Sequence, residues 1–473
     1  MQGIAIALLA SLALRCWVDV DASWDSWNYH LPFAAKLWGI ATDQSYLLEE
    51  LMQQRFEGFP LLANWFQGLL WKITGRVEAA NLVNYVAFLS YLVFSQFCLK
   101  VPFHTMAVAL LAIPMLQIQI TTSYVDPFGN LFASIALLST YLAYKNNTAL
   151  TQKQILIFLL SAFFTVNTKL QLAPVILLTL ALFGGRFAFL KYREQPGQKV
   201  TWVRILLAST VSALLIFAVP VRNTIVYGNP AYPVKLTIAG HTLNHEEVTP
   251  YEVPLYLKNA PQFQRWIYSV LEINASDPRR PFLWTNGQGD VPLDSKGWVM
   301  GGYFGIYVVF NSILFGLLIK LLPKKQRFLP VAFLLILCMG TSILPQSHVL
   351  RFYEYWMICF VSLNLILIKQ VSTLVGRKLT YYLLHKGLIF LGFLVMVTAL
   401  TKATYIVPHF YSMDDRKKDA IDRSILEKVE ARSSSCLVGL QPNTFIYSSV
   451  FQGGSYQLEA ATQEKECMAP IIK

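Results

Sequence analysis

The sequence predicts an all-α protein that crosses a membrane many times, with about eleven transmembrane helices. Three observations carry that expectation. Hydrophobic residues make up 55% of the 473-residue chain and charged residues only 14%, where soluble domains carry about 25% charged residues. Apolar runs long enough to cross a hydrocarbon core recur along most of the chain. The basic residues fall in alternate short connections between those runs, the distribution that orients membrane proteins. The net charge of +12 is accounted for by these loops, and nucleic acid is not needed to explain it.

Taken in order, the expected spans are residues 4–18, 79–99, 105–120, 128–144, 155–168, 172–190, 203–221, 303–322, 328–344, 352–368 and 381–400. The first is short and interrupted by Arg15, but it lacks the charged leader and cleavage site of a signal peptide and reads as a retained span. Two long polar loops, about 19–78 and 222–299, separate the spans, and a polar tail follows residue 400. Within the first loop, residues 31–40 and 61–73 are too short to span and have polar and apolar faces, as amphipathic helices lying at the interface do. The chain therefore divides into a membrane module, 1–400, and a small mixed α/β cap, 401–473. In the cap a helix is expected over 414–431, with strands near 436–440 and 444–451.

The basic set of loops holds Lys100, Lys145, Lys153, Lys191, Arg193, Lys199, Arg204, Lys320, Lys324, Lys325, Arg327, Lys369, Arg377 and Lys378, with Glu194 as its only acid. The positive-inside rule places this set in the cytoplasm. Both long loops and the tail then lie outside, with the N-terminus inside. Cys98, Cys338 and Cys359 fall in or beside spans, where a thiol packs as a small apolar residue. Cys436 and Cys467 lie in the outer tail, where one bridge is chemically permitted.

The first outer loop opens with Asp19, Asp21 and Asp25 among Trp24 and Trp27. Asp126 lies on the same outer rim, at the start of the fourth span, and Lys169, Arg222 and Arg351 follow or open other spans there. Any one of these cations alone can be a side chain snorkelling at a boundary, and tryptophans favour membrane interfaces. Several cations and carboxylates on one rim point instead to an anionic ligand and a base, because cations stabilise phosphate oxygens and a carboxylate can accept a hydroxyl proton. Glu354, just after Arg351, is expected to pair with a neighbouring cation. Gln117, Gln119, Asn130, Thr165, Asn167 and Asn364 either line a cavity or bond between helices.

Several stretches together resemble the GT-C glycosyltransferases, polytopic enzymes that include the protein O-mannosyltransferases and the lipid A aminoarabinose transferases. The run Asp25-Ser26-Trp27-Asn28-Tyr29-His30-Leu31-Pro32 is similar to an Asp-x-x-x-Tyr-His-x-Pro form of bacterial members. Gly58-Phe59-Pro60 resembles the Tyr-Pro element before the second amphipathic helix, and Ser123-Tyr124-Val125-Asp126 the acidic second outer loop. Thr168-Lys169, Arg222-Asn223 with Gly228-Asn229-Pro230-Ala231-Tyr232-Pro233, Gly301-Gly302-Tyr303 and Arg351-Phe352-Tyr353 follow in the family's order.

This resemblance implies an inverting glycosyltransferase in a bacterial inner membrane, taking a sugar from a polyprenyl-phosphate carrier to a hydroxyl of a lipid, glycan or protein at the periplasmic face. It implies Asp25 as the base, with Tyr29 and His30 orienting base or sugar and Asp126 holding the acceptor. The donor phosphate would lie near Lys169, Arg222 or Arg351, and Trp24, Trp27 or Trp65 would stack on sugar or anchor in the interface. Many relatives carry paired acids in the first loop, whereas Ser26 follows Asp25 here. No cofactor is therefore required, and a divalent cation is at most a partner of Asp126. Two rivals share the outer-face chemistry: a transporter or flippase for a lipid-linked saccharide, and an O-antigen-type polymerase or ligase. A transporter would place acids near the midplane and show inverted repeats.

Overall fold

In a computed structural model of the protein, the described residues are 2–146, 148–194, 199–238, 240–247, 253, 257–273, 279, 282, 304–375 and 406–472. The expected last span, part of the second long loop and Gly301-Gly302-Tyr303 lie outside them. Helix α1 (Gln2–Val18) leads into the first long loop, which holds α2 (Leu31–Leu37), strand β1 (Tyr46–Leu47), α3 (Glu50–Gly58) and α4 (Leu62–Thr74). Both expected amphipathic helices are thus present, and α3 is an addition. Gly75, at φ +69°, ends α4 in the left-handed conformation that glycine adopts without strain.

Next come α5 (Leu82–Phe94), α6 (Phe103–Leu111), α7 (Pro114–Gln119), α8 (Asp126–Lys145), α9 (Gln152–Val166) and α10 (Ala173–Glu194). The expected span over 105–120 is broken into α6 and α7. Pro114 disfavours helical backbone at Ile113, which is extended, and itself opens α7 as a first-turn proline. Helices α11 (Lys199–Ile216) and α12 (Ala218–Tyr227) meet at a 70° bend inside the expected seventh span. Helix α13 (Gln262–Val270) precedes α14 (Phe304–Leu321), α15 (Lys324–Ser342) and α16 (Tyr355–Val375).

Four helical stretches among the described residues are long and apolar enough to cross a membrane: Val77–Leu99, Leu170–Glu194, Phe304–Leu321 and Tyr355–Leu374. The bent pair α11–α12 makes a fifth if it acts as one span. Helix α8 is central. It packs against α5, α9, α10 and α16, and fifteen of its residues are buried, including Asp126, Asn130 and Ser134. That polar content sets it apart from a lipid-facing span. Asn130 fixes the start of α16 by donating to the Arg351 carbonyl (3.2 Å) and accepting from the Tyr355 N–H (3.1 Å).

The tail adds helices Met413–Ala420 and Arg423–Glu430, split where Asp422 caps the second, in place of one run over 414–431. Strands β4 (Ser434–Val438), β5 (Gln457–Ala461) and β6 (Ile471–Ile472) follow, after a two-stranded ribbon, β2 (Thr237–Ile238) and β3 (His241–Thr242), in the second loop. The strand expected over 444–451 is instead a 3₁₀ turn, Asn443–Tyr447, and a short helix, Ser449–Gln452. Phe445, Ile446 and Tyr447 are buried consecutively, a pattern that a strand with alternating faces does not give.

The tail sheet has the parallel order β1-β5-β4-β6, so one edge strand comes from the first long loop, with Tyr46 opposite Leu458. Trp27 and Trp71 of the loop share one core with Phe445, Tyr447 and Leu458 of the tail. Cys436 and Cys467 are joined by a disulfide. The cap and the first loop therefore share one sheet and one core.

Candidate active site

Asp25 begins the site. It precedes a π-helical turn, Ser26–His30, that runs directly into α2; such turns inside helices are frequent at functional sites. Its carboxylate lies 3.0 Å from the Arg351 guanidinium, and both side chains are buried. A second buried ion pair joins Asp126, in the first turn of α8, to Lys169, in the turn before α10. The Phe352 ring links the two pairs: Lys169 Nζ is 4.1 Å from its centroid and Arg351 Cζ 5.2 Å. Arg351 also lies 5.3 Å from the Tyr124 ring, a cation–π geometry that holds a guanidinium in place. Four of the seven expected site residues, Asp25, Asp126, Lys169 and Arg351, thus meet in one cluster drawn from four distant parts of the sequence.

His30 borders this cluster, edge-on to Tyr124 at 5.9 Å. The Asn64 amide donates to the His30 carbonyl (3.2 Å) and faces Nδ1 at 3.3 Å. This network assigns the proton to Nε2, a nitrogen with no hydrogen-bond partner among the described residues. Burial, Lys169 and Arg351 hold the imidazole well below the usual histidine range, so it is neutral and offers one N–H. The Tyr29 ring lies 4.2 Å from that of His30 at a tilt of 51°, with Arg55 5.8 Å from the Tyr29 ring. Arg55, not singled out in the sequence, forms an ion pair with Glu247 of the second loop.

Arg222 stands apart from these residues. It donates to the Glu57 carbonyl and to Asn223 Oδ1. Asn223 in turn donates to the carbonyls of Gly58 (2.7 Å) and Tyr232 (3.3 Å). Gly58 is pressed so closely on the Tyr232 carbonyl that a Cβ would overlap it. The Gly58-Phe59-Pro60 and Gly-Asn-Pro-Ala-Tyr-Pro stretches are therefore docked on each other, and Arg222 serves that junction.

Several expectations change. Trp27 is fully buried, lies 5.6 Å from Phe451 and donates to the Asp21 carbonyl, so it is core and does not stack on a ligand. Trp24 and Trp65 keep exposed surface. Glu354 has no ion pair among the described residues, and neither of its buried carboxylate oxygens has a hydrogen-bond partner there. It follows the 3₁₀ turn Leu350–Tyr353 and immediately precedes the span that begins at Tyr355. Asn364 donates to Asn311 (2.9 Å) and Asn167 to the Ile216 carbonyl (3.1 Å), the interhelical option for both. Among the described residues no three His, Cys, Asp or Glu side chains converge as a metal site.

Chemically, the cluster combines a carboxylate that can receive a proton, two cations that can hold an oxyanion, and a neutral imidazole N–H. Burial and Arg351 push the Lys169 ammonium well below the usual lysine range, while Asp25 and Glu354 pull it back. Any anion reaching Lys169 or Arg351 gains from the low dielectric around them.

No protein-family model matches the sequence, and no curated protein is similar to it by sequence. In structure the chain is similar to ArnT from Cupriavidus metallidurans in the apo state, with a TM-score of 0.53 at 12% identity, covering 98% of this chain and 86% of that one. The chain thus has an ArnT-like fold over nearly its whole length.

Proposed function

We propose that the protein is an inverting glycosyltransferase that moves a sugar from a polyprenyl-phosphate carrier to a hydroxyl of a lipid, glycan or protein at the periplasmic face of a bacterial inner membrane. The observation that carries this reading is the buried double ion pair, Asp25–Arg351 and Asp126–Lys169, bridged by Phe352. The donor phosphate engages Arg351 and Lys169, with its lipid tail along the spans. Arg351 then shifts its hydrogen bonds from Asp25 to phosphate, freeing a carboxylate oxygen beside the reacting centre. The acceptor hydroxyl gives its proton to Asp25 as its oxygen attacks the anomeric carbon from the face opposite the phosphate. The bond between that carbon and the phosphate oxygen breaks, and polyprenyl phosphate departs with the electron pair, stabilised by the two cations. Asp126 holds Lys169 and the acceptor side, while Tyr29 and the His30 Nε2–H orient the sugar. The scheme requires no cofactor or metal, because phosphate already leaves well and catalysis rests on positioning and charge.

The test is sugar transfer from a labelled polyprenyl-phosphate sugar pool in membranes containing the protein, with the anomeric configuration of the product determined. Transfer with inverted configuration is expected. Movement of lipid-linked saccharide across the bilayer without transfer would replace this reading by the transporter one. Transfer confined to diphosphate-linked donors would replace it by a polymerase or ligase.

A further inference from the structure

Glu354 is unlike the other acids of the cluster. Asp25 and Asp126 each face a cation, whereas Glu354 is fully buried with both oxygens lacking a hydrogen-bond partner among the described residues. Its position is fixed by backbone: its carbonyl accepts from the Met357 and Ile358 N–H groups, and Asn130 holds the residues on either side. Lys169 and Arg351 are the charged groups whose fields reach it. The neighbouring phenols are engaged elsewhere, Tyr353 donating to the Pro345 carbonyl (2.6 Å) and Tyr355 bonded to Thr341 (2.7 Å). His30 is neutral and adds no charge. Three carboxylates therefore share the field of two cations, a balance that is negative before a phosphate arrives whenever Glu354 is ionised.

A lipid phosphate gains a further negative charge when the sugar leaves, since a phosphodiester becomes a monoester that is largely dianionic above about pH 7. An ionised Glu354 beside the same cations would oppose that charge in a low dielectric. Resting on the phosphate subsite proposed above, we infer that Glu354 is the proton-holding residue of that subsite: one of its carboxylate oxygens carries a proton taken from solvent whenever a lipid phosphate occupies Lys169 and Arg351. Burial pushes the Glu354 carboxyl up to about 8 against the pull of Lys169 and Arg351, which puts its titration within reach of a binding experiment.

The experiment is calorimetric binding of undecaprenyl phosphate to the full-length protein in detergent, in buffers of different ionisation enthalpy, at about pH 8.5 where an unliganded Glu354 is mostly ionised. The wild type is expected to take up about three-quarters of a proton per lipid bound, and its affinity to fall more than about tenfold between about pH 7.5 and pH 9.5. Glu354→Gln, isosteric and always neutral, is expected to take up close to none and to keep the wild-type affinity of the lower pH throughout. Equal proton uptake by both proteins would assign the proton to Lys169 or the lipid and overturn the inference while leaving the phosphate subsite standing. Loss of binding in Glu354→Gln at an unchanged unfolding temperature would also overturn it, by showing that the charge is needed. Absence of binding by the wild type would remove the phosphate subsite and the inference together.

Discussion

Asp21 and Asp25 lie on the same loop in opposite surroundings. Asp21 accepts from the Ser23 N–H (2.9 Å), the Ser23 hydroxyl (2.8 Å), the Ser26 hydroxyl and the Ser123 N–H (2.8 Å). Asp19 is held likewise by the N–H groups of His409 and Tyr411 (2.9 and 3.0 Å), tying the tail to the loop. These acids are held mainly by neutral donors of the fold itself, with Arg15 3.9 Å from Asp19 besides, so they staple chain segments. Asp25 instead faces a cation, Arg351, at 3.0 Å, a partner that an incoming anion can take over. A carboxylate saturated by backbone donors is architectural, and one held by an exchangeable charge is available for chemistry.

The strongest way to break this contrast is at Arg351. Arg351→Gln leaves Asp25 buried without its countercharge, a change that costs about 3–5 kcal/mol where buried pairs are broken. It also removes an oxyanion donor, so transfer is expected to fall by about 10³-fold or more; unfolding in detergent and a transfer assay read the two effects. Lys169→Met is expected to lower transfer by about 10²–10³-fold through the same phosphate contact, with weaker donor binding. Asp21→Asn sharpens the comparison from the other side. It should destabilise by about 1–3 kcal/mol, because charged acceptors are lost from several hydrogen bonds, yet leave transfer per folded molecule unchanged.

The smallest effect concerns His30. Its folded-state pKa is lowered, so as pH falls below about 6.5 the unfolded chain binds a proton that the folded chain resists. Stability is therefore expected to decline on the acid side of that pH. His30→Gln, which keeps an amide but does not titrate, should flatten the decline in unfolding curves recorded from about pH 5 to 7.5.

What could be read from the sequence follows the range of the interactions. Asp25, Asp126, Lys169 and Arg351 were legible because each ends or opens an apolar run, and the membrane confines such ends to one rim. Arg222 satisfies the same rule but is consumed by the junction with Glu57 and Asn223, a contact between segments 165 residues apart. Glu354 was visible as an acid, and only the fold shows that the cations beside it are already paired with Asp126 and Asp25. Tyr124 and Asn130 stood out only as part of a short motif and as a polar residue in a span, and Asn64 in α4 carried no sequence signal for its bond to His30. Strand β1 has two residues and pairs with a strand some four hundred positions away, so no local pattern could announce it. The turn at 443–447 was misread because a short apolar run suits both a strand and a buried helical turn.

The central claim, that Asp25 receives the acceptor proton, is tested most directly by comparing transfer in Asp25→Asn and wild type with donor binding and unfolding temperature measured on the same preparations. The account expects transfer to fall by about 10²–10⁴-fold, the range for loss of a general base, with polyprenyl-phosphate binding retained. Transfer within about twofold of wild type in a folded Asp25→Asn protein would contradict it, because general-base catalysis at this site would then owe nothing to that carboxylate.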